Sequence, residues 1–196
     1  MQHTKEEVRS RILEAAEQEF DEQGYAGASM RSIVRRAGTS LGNIYRYYPN
    51  KEELFLSIVT PVLDQCIDQT GTLFTVDIKE VARNVEQMVD FVSEHSRIFR
   101  IIENGPPEHY AAFLARFSAR ISQDMERYAR SHCPKALETI SNPNFFFSAG
   151  QSFVSVLQLT LGHCEDREKT IRYLWELLRF QLGFFEERLT LVGNNA

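Results

Sequence analysis

A chain of 196 residues is long enough for one domain or two small ones and can bury a core without disulfide or metal staples. Its 43% apolar and 25% charged residues are ordinary globular composition, and a formal net charge of −5 argues at first against a nucleic-acid partner. Cys66, Cys133 and Cys164 are odd in number and widely spaced without a CxxC, the charged N-terminus MQHTKEEVRSR lacks the apolar stretch of a signal peptide, and no long apolar run occurs, so free thiols, a cytoplasmic location and no membrane contact are expected.

Helical periodicity runs through the chain, and no strand alternation or hairpin signal interrupts it. A first helix is expected over residues 5–23, where Val8, Ile12, Ala16 and Phe20 recur every four residues beside Leu13, with Gly24 as its stop. A second covers residues 30–37, with Ser29 as N-cap and Gly38 as breaker. A third covers residues 40–47 and ends before Pro49-Asn50. A fourth opens at Lys51 or Glu52 and reaches about Asp68, with Pro61 inside it as an expected kink and candidate hinge. The fifth and sixth helices fall on residues 78–94 and 96–103, before the strong punctuation of Asn104-Gly105-Pro106-Pro107. A seventh spans residues 107–131, Pro134 and Pro143 bound an irregular connection, and the eighth and ninth span residues 144–162 and 166–191. The fold class expected is therefore all-α, with about nine helices.

The net charge conceals an uneven distribution. Residues 1–51 carry eight Lys/Arg against seven Asp/Glu, a net of +1, whereas residues 52–196 carry fourteen against twenty, a net of −6. After Glu22 no acid occurs until Glu52, and Arg31, Arg35, Arg36, Arg46 and Lys51 lie between them, a local basic patch of the kind a phosphate backbone selects.

That patch coincides with two short helices joined by the turn Ala37-Gly38-Thr39, the layout of a helix-turn-helix. Ile33, Val34, Ala37 and Ile44 are expected to pack inward, leaving Leu41, Asn43, Tyr45 and Tyr47 to divide between the core and the outward face. Ser40 and Asn43 stand at the N-terminus of the third helix, where free N–H groups meet phosphates and side chains read base edges. Arg31 suits a guanine or a phosphate, and Lys51 suits a phosphate.

The run GYAGASMRSIVRRAGTSLGNIYRYYPNKEELF resembles the TetR family of bacterial transcription regulators through Gly24-Tyr25, Ser29-Met30-Arg31, Ala37-Gly38, Ser40, Tyr45, Tyr48 and Asn50-Lys51-Glu52 with Leu54. The resemblance covers roughly residues 6–58. It implies an N-terminal three-helix DNA-binding domain over residues 1–51 and a C-terminal helical ligand-binding and dimerisation domain over residues 52–196. It places Arg31, Leu41, Gly42, Asn43 and Tyr45 where family members touch bases, and Ser40, Tyr47 and Lys51 where they touch phosphates. Ala28 departs from the Thr that many members carry there, which shifts capping to Ser29, and Leu41 is an unusual reader that suits only apolar groups such as a thymine methyl.

In the C-terminal part, the last helix is apolar on two sides, one stripe carrying Tyr173, Leu177, Phe180 and Phe184. One side needs the domain core and the other a partner, for which a symmetric homodimer is the commonest solution. Ala149 and Gly150 on the eighth helix permit close helix approach, and Phe146 joins this expected interface. The fourteen Phe exceed what such a core requires; Met88, Phe91, Phe99, Phe113, Phe117 and Phe153 are either core or the lining of an apolar pocket, with Gln65, Asn104, Tyr110 and Gln158 as its polar candidates.

No metal site is expected, since the neighbours His132-Cys133 and His163-Cys164 do not face one another on a helix. No acid, base or nucleophile constellation marks an enzyme, and no cofactor is implied. The function expected is a sequence-specific DNA-binding transcriptional regulator, a homodimeric repressor released from its double-stranded DNA operator by a small, largely apolar effector. The alternative is a small-molecule-binding helical protein whose helix-turn-helix is vestigial.

Overall fold

Thr4 caps the first helix: its Oγ1 accepts from Glu7 N at 3.2 Å while its own N donates to Glu7 Oε2 at 2.9 Å, a reciprocal capping box. A computed structural model describes residues 4–70, 78–132, 134–138, 140–162 and 166–181, and every regular element among them is an α-helix. In chain order these are α1 (Lys5–Gly27), α2 (Met30–Ala37), α3 (Leu41–Ile44), α4 (Lys51–Thr70), α5 (Ile78–Glu94), α6 (Ser96–Glu103), α7 (Pro107–His132), α8 (Pro134–Leu137), α9 (Phe145–Gly162) and α10 (Arg167–Gln181). The helix beyond the expected nine is α8, a single turn inside the connection bounded by Pro134 and Pro143. None of the described helices is long and apolar enough to cross a membrane.

Three boundaries differ from the sequence expectation by more than one residue, and residues 182–191 of the expected last helix lie outside the described residues. Gly24 does interrupt α1, at φ 66° and ψ 169°, but a further turn follows it to Gly27. The third helix is shorter than residues 40–47: after Ile44 the chain continues through Tyr47 in tight turns, with Arg46 N bonded to Asn43 O at 3.2 Å and Tyr47 N to Ile44 O at 3.0 Å. The fourth runs unbroken through Pro61, whose side chain lies on the exposed face, and reaches Thr70.

Two compact units divide the chain. The first holds Met1–Gln65 and His95–Ala112. It therefore extends past residue 51, where the charge pattern changes, because α6 packs on α1. Ile98, Ile101 and Ile102 are the buried face of α6, and Arg97 and Arg100 reach α1 from its rim: Arg97 pairs with Glu17 and Asp21, both at 3.4 Å, and Arg100 pairs with Asp21 at 3.1 Å. Ile12, Phe20, Ile33, Ile44, Leu54 and Phe55 complete this core.

The second unit holds Cys66–Glu94 and Phe113–Ala196. Here α10 packs on α5 and on α9, and Arg167 ties α10 to α5 through Asp90, whose carboxyl this hydrogen bond holds below its ordinary range. Helix α7 buries Phe113, Phe117, Ile121 and Met125 at helical spacing, with Ser118, Ser122 and Asp124 on the same side. Asp124 is held by Arg120 Nε at 2.8 Å and Arg127 Nη1 at 2.6 Å, so its charge is buried in company. Cys66 is buried too, and burial alone pushes its thiol up to about 12.

The crossing of α7 and α9 is set by Gly150. A Cβ there would press on Ser122 Oγ and lie 2.9 Å from Ser118 O and 3.0 Å from Ser122 N, so the obstacle is helix backbone. Gly150→Ala is expected to cost about 1–3 kcal/mol, read as a lower urea midpoint with unchanged slope; an unaltered midpoint would mean that the two helices separate freely. Cys66, protonated and buried, should resist iodoacetamide at neutral pH in the folded protein and react once urea unfolds it; rapid labelling of folded protein would contradict the burial described.

Candidate nucleic-acid interface

The helix-turn-helix is built by side chains that satisfy its own backbone. Ser29 Oγ accepts from Ser32 N at 3.1 Å and Ser32 Oγ accepts from Ser29 N at 3.1 Å, so two small hydroxyls cap α2 reciprocally. Gly38, at φ 61° and ψ 40°, closes α2 in the left-handed region, and Thr39 N returns to Val34 O at 3.1 Å. Ser40 Oγ then caps α3 by accepting from Asn43 N at 3.2 Å. Ile33, Val34, Ala37 and Ile44 are all buried, as their spacing predicts.

The five cations of the basic segment separate into two classes. Arg36 turns back onto α1, where it pairs with Glu22 at 2.5 Å and Glu19 at 3.3 Å. Lys51 also points inward: its Nζ donates to Tyr25 O at 2.6 Å and Ala28 O at 2.9 Å and stands 4.3 Å from the centre of the Tyr25 ring. The Lys51 charge thus serves carbonyls that follow the Gly24 break, so its geometry is that of a cap rather than of a phosphate ligand. Burial first, then Glu52 and Glu108, raise the Tyr25 phenol above its ordinary range. Arg31, Arg35 and Arg46 are exposed and meet no carboxylate among the described residues.

The other expected DNA contacts fall as follows. Tyr45 is 48% exposed, Gly42 is exposed with open space where a Cβ would stand, and Leu41 is half-buried. Asn43 is half-buried, and its Nδ2 donates to Thr39 Oγ1 at 2.9 Å. Tyr47 is half-buried, and its hydroxyl donates to Lys5 O at 3.2 Å, which ties the turn after α3 to the start of α1. Arg31, Ser40, Gly42 and Tyr45 are thereby displayed on one short stretch, while Tyr47 and Lys51 are engaged internally. Arg35 and Arg46 belong to the basic run but carry no motif signal; what marks Arg35 is its position four residues after Arg31, on the same face of α2.

The expected pocket residues do not gather in one unit. Met88, Phe91, Phe113, Phe117 and Phe153 are buried in the second unit, where Gln158 is half-buried. Phe99, Tyr110, Gln65 and Asn104 belong to the first. Gln65 and Asn104 are exposed rather than interior; Asn104 instead ends α6, its Nδ2 donating to Arg100 O at 2.9 Å. Tyr110 is half-buried and donates to Glu103 Oε1 at 3.3 Å.

Of the residues expected at a dimer interface, Tyr173 is 44% exposed, and Phe146 and Ala149 are half-buried. Gly150 is corrected: it is buried against α7 of its own chain, so its close approach serves the fold. The side chains of Leu177 and Phe180, and Phe184 entirely, lie outside the described residues. Phe147 and Leu159, 57% and 64% exposed on α9, were not legible as surface residues in an apolar helix.

Residues 12–58 match the family described as bacterial regulatory proteins, tetR family. The chain is 32% identical over 126 residues to the HTH-type transcriptional repressor SCO4008 of Streptomyces coelicolor, a match covering 64% of this chain and 61% of that protein. It is 32% identical over 84 residues to the fatty acid metabolism regulator protein of Bacillus subtilis, covering 43% of this chain and 41% of that one. The matches thus span less than two thirds of these relatives' length. In fold, it is similar to SmeT, the repressor of the Stenotrophomonas maltophilia multidrug efflux pump SmeDEF, with a TM-score of 0.67 at 22% identity over 93% of this chain and 90% of that one. SmeT in complex with triclosan gives the same TM-score of 0.67 at 21% identity, covering 90% of each chain.

Lys51→Gln is expected to lower stability by about 1–2 kcal/mol, because two carbonyls lose a charged donor, and to leave the salt dependence of DNA binding unchanged. Urea titration and binding across a salt series check the two halves separately; a flattened salt slope at unchanged stability would return Lys51 to the phosphate backbone.

Proposed function

We propose that the protein is a DNA-binding transcriptional repressor of the tetR family that residues 12–58 match, acting as a cytoplasmic homodimer that a small, largely apolar effector releases from its operator. The observation that carries the DNA reading is the outward face of the helix-turn-helix: exposed Arg31, Arg35 and Arg46 around the Ser40-capped start of α3, with no carboxylate to meet them among the described residues. Arg31 and Tyr45 are the base readers in this reading, and Gly42 lets the backbone approach closely.

Two observations support the rest. Exposed Phe147, Leu159 and Tyr173 on α9 and α10 favour a second copy of the chain, and two copies double the few base pairs that one short recognition helix reads. Buried Met88, Phe91, Phe113, Phe117 and Phe153 in the second unit favour an apolar effector, in keeping with the triclosan that SmeT holds in its complex. Release requires the effector to prefer the arrangement of the dimer that does not fit the operator, since equal affinity for both arrangements shifts nothing. The proposed division of labour places DNA reading in residues 1–51 and effector binding with dimerisation in residues 52–196.

Selection from a library of random DNA duplexes tests this. A palindrome with half-sites one helical turn or a multiple apart is expected, and Arg31→Ala should relax one position in each half-site by about 1–3 kcal/mol. Recovery of no preferred sequence would favour the vestigial helix-turn-helix instead.

A further inference from the structure

We propose that Arg35 and Arg46 are the residues that grip the DNA backbone, in the role that the motif gives to Lys51; the inference rests on the DNA reading above. In the first unit Arg36, Arg97 and Arg100 each meet a carboxylate within 3.4 Å. Arg31, Arg35 and Arg46 meet none among the described residues, and the two acids that flank the run in sequence, Glu22 and Glu52, face Arg36 and His109 instead.

Arg31 and Arg35 stand four residues apart on the exposed side of α2, opposite buried Met30, Ile33, Val34 and Ala37. Like charges at this spacing repel, and no acid in the first turn of α2 relieves the positive end of its dipole. An arrangement that costs the free protein stability is recovered when an anion lies along it. The two side chains leave the helix about 6 Å apart along its axis, so they can meet different phosphates, and Arg31 keeps its reach towards the bases.

Arg46 occupies the turn that closes α3. Its neighbours are held: Tyr47 through its hydroxyl to Lys5 O, and Tyr48 by a buried ring whose hydroxyl accepts from Arg9 Nε at 3.3 Å. Arg46 is thus exposed just before two anchored residues, next to exposed Tyr45. Arginine suits this task because its planar fork pairs with phosphate oxygens in a bidentate manner.

Binding of the full-length protein to a mixed-sequence DNA duplex, long enough for two half-sites, can be followed by fluorescence anisotropy across a potassium chloride series. Arg35→Gln and Arg46→Gln are each expected to flatten the plot of log affinity against log salt by about one unit per bound protomer and to weaken low-salt binding about tenfold, irrespective of sequence. Arg35→Lys and Arg46→Lys should keep the slope, and none of the four variants should melt below the wild-type temperature. Wild-type slopes in both glutamine variants, or their early melting, would overturn the assignment while leaving the DNA reading intact. If wild-type protein binds no duplex at any salt concentration, the two fall together.

Discussion

Phe55 is the side chain on which the arrangement of the first unit depends. It is fully buried and meets Phe20 edge-on at 5.5 Å and Tyr25 edge-on at 5.1 Å, while Phe20 and Tyr25 stack at 5.8 Å. Phe20 belongs to α1 before the Gly24 break and Tyr25 follows it, so the positive φ of Gly24 is what turns the chain to bring both rings onto Phe55. One turn earlier on α4, Lys51 caps the carbonyls of Tyr25 and Ala28. On another side of Phe55 lies Gly105, where a Cβ would come within 2.5 Å of Cζ, and the His109 ring is 6.0 Å away. The end of α1, the start of α4 and the turn between α6 and α7 thus converge on one aromatic ring. The magnitudes rank these contacts: truncating a buried phenylalanine costs about 3–5 kcal/mol, whereas an exposed pair such as Arg100–Asp21 contributes about 0–1 kcal/mol. Packing on Phe55 holds the unit, and the arginines of α6 refine its register on α1.

Charge in the first unit is organised by the same convergence. A run of five cations without an acid reads as one basic surface, yet folding divides it. Arg36 and Lys51 are drawn into the joints between α1, α2 and α4, and what remains outward is Arg31, Arg35 and Arg46. The patch is smaller than the sequence suggests, but the cations that remain are those that meet no carboxylate among the described residues, which makes an anionic partner more pointed rather than less.

What could be read in the sequence follows the range of the interaction involved. The helices, the Ser29 and Ser40 caps and the Gly38 turn are local, depending on residues within a turn or two, and their spacing reveals them. The fates of Lys51 and Arg36 depend on partners 26 and 14 residues away, and no local pattern announces them. Asn104, a polar candidate for the pocket from the sequence, ends α6 instead, as a short amide after a helix is apt to do. Gly150 was legible as a point of close approach, but whether the approaching helix is the chain's own or a second copy's is not encoded at the position itself. The answer lies in Ser118 and Ser122, small enough on α7 to receive α9.

The same helix bears on what the second unit would accept. Along its buried side α7 places Phe113, Phe117, Ile121 and Met125, with the Phe113 and Phe117 rings stacked 5.6 Å apart. The charge interleaved with them is committed, Asp124 to Arg120 and Arg127, and the Ser122 hydroxyl donates to Ser118 O at 2.7 Å, while Ser118 Oγ is buried with no partner among the described residues. A charged ligand that took a counter-charge from this face would part the buried Asp124 carboxylate from an arginine and leave it less compensated. An uncharged ligand needs to displace only apolar contacts, which rearrange at far smaller cost when volume is conserved. The proposed uncharged effector therefore rests less on the number of phenylalanines than on the pairing of Asp124, which leaves no uncommitted charge among the buried residues of α7.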